Sequence, residues 1–107
     1  MNSEFKREVM DCMEEFAFTV RMTRLYEDAE LDRLKGLLSE LADVLQHETV
    51  IDKDLVGSLY TLPQVVRNMF LSYDGPPTVR LEQFARLEDA WVDLDALVLD
   101  CLHRPAT

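Results

Sequence analysis

The sequence predicts an all-α protein, a small antiparallel four-helix bundle, and three observations carry that expectation. Apolar residues recur at steps of three and four along four separate stretches, the spacing that lines one face of a helix. No stretch alternates apolar and polar residues as a half-buried strand would. Three glycines and four prolines leave little of the turn chemistry that many short strands require. With 107 residues, 48% of them hydrophobic and 30% charged, the chain reads as one folded domain over residues 1–107. A chain of this size buries roughly two thirds of its unfolded surface, enough for a core without metal or disulfide staples.

The first helix reads as Ser3 to Tyr26, built on Phe5, Val9, Met13, Phe16 and Val20 and reinforced by Met10, Cys12, Ala17 and Leu25. The second reads as Ala29 to His47, where Leu31, Leu34, Leu38, Leu41 and Leu45 advance by 3, 4, 3 and 4 as a heptad seam. Asp28 or a neighbour would cap it. Neither Gly nor Pro separates these two helices, so one long helix is the alternative. The third stretch, Asp54 to Tyr73, carries Leu55, Val56, Leu59, Leu62, Val65, Val66, Met69 and Phe70 at helical spacing but contains Pro63. Proline inside a helix removes a hydrogen bond and clashes with the preceding turn. This helix is therefore expected to be kinked or broken near Pro63, its first piece ending at about Tyr60.

Asp74-Gly75-Pro76-Pro77 is a loop signal, after which Thr78 would cap a last helix. That helix runs to about His103 through Phe84, Leu87, Trp91, Leu94, Val98 and Cys101, and Pro105 stops it. Four amphipathic helices on short connections pack most economically as an antiparallel bundle. A three-helix core with an appended hairpin is the alternative, and the heptad seams also allow a dimer that completes the bundle between chains. Pairing the first helix antiparallel to the last would place Cys101 opposite a residue near Phe5, roughly 10 Å along the axis from Cys12. Both cysteines are therefore expected to be free packing residues, not a disulfide.

The 21 acidic side chains outnumber the 11 basic ones, giving a net charge of −10. This excludes a nucleic-acid binder of the ordinary electrostatic kind, which gathers Lys and Arg on one surface, and disfavours attachment to an anionic membrane. The longest apolar run is Ala96 to Leu99, far short of the roughly 20 residues that cross a bilayer. The N-terminus has no apolar secretory segment, so the protein is expected in the cytoplasm.

The acid is unevenly spread. Residues 28–54 hold eight acids and three bases and residues 82–107 hold six and two, whereas residues 55–81 hold one acid, Asp74, and two bases, Arg67 and Arg80. Two candidate partner surfaces follow. The fourth helix offers an acidic side through Glu82, Asp89, Asp93 and Asp100, which would complement a basic protein. The nearly uncharged third helix offers an apolar side through Tyr60, Arg67, Phe70 and Tyr73, residue types that anchor interfaces.

Catalytic signatures are sparse. The chain has no Gly-rich phosphate loop, no Gly-x-Ser-x-Gly elbow and no His-Glu-x-x-His. His47 and His103 each follow an Asp by one or so turns, Asp43 and Asp100, and read as residues favoured at helix C-termini by the dipole. The fragment Glu40-Leu41-Ala42-Asp43 resembles the Glu-x-x-Asp half of the all-helical MazG-like nucleotide pyrophosphohydrolases. That resemblance implies carboxylates holding magnesium against a triphosphate. The family's upstream Glu-x-x-Glu is represented here only by Asp11-x-x-Glu14, with Asp in the first place, and the family's Gly-Glu surroundings are missing. The alternative metal set is thus Asp11, Glu14, Glu40 and Asp43.

The expectation from sequence is a non-enzymatic, cofactor-free acidic module that binds another protein: an immunity or antitoxin-type inhibitor of a basic toxin or effector, or a related chaperone or adaptor. A magnesium-dependent pyrophosphohydrolase and a structural homodimer are the alternatives.

Overall fold

The computed structural model describes residues 1–71 and 77–102, and for residues 77–81, 83 and 84 it describes the backbone alone. The described residues form four helices, α1 (Ser3–Thr23), α2 (Asp28–Leu45), α3 (Lys53–Leu71) and α4 (Pro77–Leu102).

Local chemistry sets their ends. Asn2 opens α1, its side-chain oxygen accepting the N–H groups of Glu4 and Phe5 at 2.7 and 3.3 Å. The helix stops at Arg24, whose φ of 56° is left-handed and whose N–H returns to the Val20 carbonyl at 2.7 Å. α1 is therefore shorter than Ser3 to Tyr26, and one continuous α1–α2 helix does not form. Tyr26 is instead held in the connection: its hydroxyl donates to the Arg86 carbonyl at 2.8 Å, and the Arg86 guanidinium lies 4.7 Å over its ring.

Asp28 is the first residue of α2, and Glu27 stands at the capping position without a side-chain bond. The helix ends at Leu45, and a tighter turn follows in which the His47 and Glu48 N–H groups reach Val44 and Leu45. Asp52 caps α3, accepting the N–H groups of Asp54 and Leu55 at 3.0 and 3.1 Å.

Of the kink or break expected near Pro63, the break does not occur: α3 runs through the proline as one helix. Interior proline costs about 3 kcal/mol, but Leu55, Leu59 and Leu62 before it and Val66 and Phe70 after it are buried on one stripe. Burial of each large apolar side chain contributes about 1.5–3 kcal/mol, so the stripe holds both halves of the helix on the core and offsets that cost. Thr78 falls inside the first turn of α4, and Pro77 takes the first helical position, where its missing N–H is not needed.

The start of α1 meets the end of α2, where the Met1 ammonium lies 2.8 Å from Glu48, so α1 and α2 form an antiparallel hairpin. Between hairpins the neighbours run parallel. Lys6 near the start of α1 meets Asp52 at the start of α3 at 2.9 Å. Asp28, Lys35 and Leu38, in or at the start of α2, meet Arg86, Asp93 and Cys101 of α4 in the same order. α3 and α4 are therefore antiparallel as well.

Among the described residues α1 packs on α2 and α3, and α4 packs on the same two, while the backbones of α1 and α4, and of α2 and α3, do not come close to each other. The ring order is α1, α2, α4, α3. The expected pairing of first and last helices is thus replaced by a diagonal. Cys12 and Cys101 are free and buried. The Cys101 thiol donates to the Leu38 carbonyl at 3.3 Å, and burial pushes its pKa up to about 12.

All four helices feed one core, including Val9, Met13 and Phe16, Leu34 and Leu38, Leu59 and Val66, and Leu87 and Leu94. A fourth helix is therefore integral to the fold, not an appendage to three. No polar or charged side chain is buried among the described residues.

Candidate protein interface

Because α2 and α4 are neighbours, the two most acidic segments of the chain lie side by side. Asp32, Glu40 and Asp43 are exposed on α2, and Glu82, Asp89, Asp93 and Asp100 are exposed on α4. Part of this charge is used internally. Lys35 Nζ lies 2.7 Å from Asp93 Oδ2, and that hydrogen bond raises the pKa of the lysine. Arg86 Nη2 lies 3.1 Å from Asp28 Oδ1 and also donates to the Tyr26 carbonyl at 3.1 Å. Asp93 is therefore a tie between helices, whereas Glu82, Asp89 and Asp100 carry no ion pair among the described residues. Exposed pairs of this kind are worth about 0.2–1 kcal/mol each, so the ties orient the helices more than they stabilise them.

The apolar side expected on α3 is only partly outward. Tyr60 is 67% exposed, and Arg67 is exposed. Phe70 is buried with the core stripe, its ring stacked 6.1 Å from that of Trp91, so it is not available as a partner anchor. Its helical phase explains this, since it follows Val66 by one turn. The Arg67 guanidinium lies 5.8 Å from the same indole. Tyr73 lies outside the described residues.

Periodicity did not single out Val92 and Leu99, which are 52% and 59% exposed on the side of α4 opposite its core seam. Two large aliphatics seven residues apart on the polar arc were the available signal. Exposed Ala85 and Ala96 lie on the same arc. Glu88 and Asp95 follow one edge of it, the edge of Trp91, which faces Phe70 of α3. Asp89, Asp93 and Asp100 follow the other edge, which faces α2 through Lys35. Phe70 and Arg67 meet Trp91, and both Tyr60 and Leu99 lie roughly 10–15 Å below that level at 1.5 Å per residue. Tyr60 therefore sits beside the lower part of the α4 stripe.

A second exposed apolar stripe, Phe18, Met22 and Leu25, lies at the end of α1. Glu14, Glu15 and Arg21 surround it, so its charges are of both signs. A groove of about 810 Å³ between α1 and α3 is lined by Met10, Met13 and Ala17 against Gly57, Thr61 and Leu62, with Glu14, Lys53 and Asp54 along it.

The alternative metal ligands are dispersed. Asp11 and Glu14 are exposed on α1, Glu40 faces the start of α1 beside Phe5 and Glu8, and Asp43 is exposed on α2. No group of three or more His, Cys, Asp or Glu side chains suited to a metal ion occurs among the described residues. His47 is exposed just beyond α2, and His103 lies outside the described residues. No helix among the described residues is long and apolar enough to cross a membrane.

Compared with protein-family models, curated proteins and solved structures, the chain has no significant match.

Proposed function

We propose that this protein is a non-enzymatic module that binds a basic protein through the α4 side of the bundle, in the manner of an immunity or antitoxin-type inhibitor. The observation that carries it is the exposed carboxylate set on α4, Glu82, Asp89 and Asp100, which has no ion pair among the described residues and lies beside exposed apolar surface. Like charges along a helix cost stability modestly, and a basic partner offsets that cost while complementary fields speed its approach. An acidic surface of this kind can cover a cationic nucleic-acid or nucleotide site and silence it. We place this action in the cytoplasm.

The test is calorimetric titration with each basic protein found encoded in the neighbourhood of this chain's gene. A saturable complex is expected, weakened about tenfold or more by raising salt from about 50 to 500 mM. Asp89→Lys with Asp100→Lys should weaken it similarly, and Asp93 is avoided because its loss would unseat Lys35. A complex indifferent to both changes, or no complex, would refute the proposal.

A further inference from the structure

Resting on that reading, we propose that the outer face of α4, with Tyr60 of α3 beside it, docks a single amphipathic helix of the partner that is apolar along its centre and carries Lys or Arg along both edges. The centre of the face is apolar: Val92 and Leu99 are exposed on it, and the small Ala96, also exposed, lies between them in sequence. Both edges are acidic, Glu88 and Asp95 towards α3 and Asp89 and Asp100 towards α2. An apolar line between two acidic lines is the complement of a helix with one apolar stripe and two basic borders.

Ala85 to Leu102 spans roughly 25 Å, the length of a helix of about 17 residues. The apolar stripe at Phe18 and Met22 of α1 has no such match, because Glu14, Glu15 and Arg21 give it borders of both signs.

Three synthetic helices of about 18 residues test the proposal against the full ¹⁵N-labelled chain. One has a Leu stripe bordered by Lys, one has Glu in place of Lys, and one scrambles the first so that its charge remains and its stripe is lost. The Lys-bordered peptide should bind saturably and shift the amides of residues 85–102 and of Tyr60. The scrambled peptide should bind at least about tenfold more weakly, and the Glu-bordered one should not bind. Leu99→Ser should weaken the first peptide severalfold, and Met22→Ser should leave it unchanged.

Equal binding of the scrambled peptide would overturn the helix-docking proposal while leaving acidic docking intact. Shifts centred on α1 or on the outer side of α2, or no saturable binding, would also overturn it. So would a free chain that self-associates with residues 92 and 99 protected, because the face would then belong to a second copy. Loss of partner binding on reversing Asp89 and Asp100, without any effect of Leu99→Ser, would separate the failure of this proposal from that of the broader one.

Discussion

At Arg24 the backbone turns left-handed: φ is 56°, and the buried side-chain Nε has no hydrogen-bond partner among the described residues. A non-glycine residue held there costs about 1 kcal/mol or more. Arg24→Gly should raise stability by about 1 kcal/mol in urea unfolding, and a fall would show that the rest of the arginine side chain holds the α1–α2 connection. Asp52 works in the other direction. The hydrogen bond from Lys6, and then that from the Leu55 N–H, hold its carboxyl below the usual carboxylate range. A carboxyl lowered on folding adds stability above its unfolded pKa of about 4 and loses it as pH falls through the folded value. The advantage of wild type over Asp52→Asn, present at pH 7, should therefore vanish in acid. An advantage that persists well below pH 4, by urea unfolding across a pH series, would contradict this origin.

Gly36 and Gly57 stand inside α2 and α3, and a methyl group added at either meets nothing within 4 Å. No packing requires them, so each should cost its helix about 0.5–1 kcal/mol relative to alanine. Gly36→Ala and Gly57→Ala are expected to raise stability by that amount each and to add in combination, measured by urea unfolding; a loss at either site would contradict this. The existence of all four helices was legible in their apolar periodicity, because one-sided burial writes itself into the sequence. Their ends were less so. Arg24 stops α1 through a backbone angle that arginine does not advertise, and Pro63 is carried inside α3 because Leu59, Leu62 and Val66 are buried on both sides of it. The ring order was not legible either, since an apolar stripe shows which side of a helix is buried but not which helix it meets.

For the molecule as a whole, the net charge of −10 resolves into place. Parallel packing of α2 on α4 gathers the acid on one side, and the internal ties at Lys35 and Arg86 hold the two helices together. The acidic residues of the candidate site could be read from the sequence because charge is a property of each residue alone. The apolar residues could not be read in full. Phe70 went to the core, while Val92 and Leu99, on the arc opposite the core seam, were left outside. Whether a partner meets α4 is decided by the affinity of the Lys-bordered peptide for two variants that lose comparable apolar surface. These are Val92→Ser with Leu99→Ser on α4 and Phe18→Ser with Met22→Ser on α1. The α4 pair is expected to lose about tenfold or more in affinity and the α1 pair less than about twofold. Equal losses from both pairs, or a loss confined to α1, would contradict docking on α4.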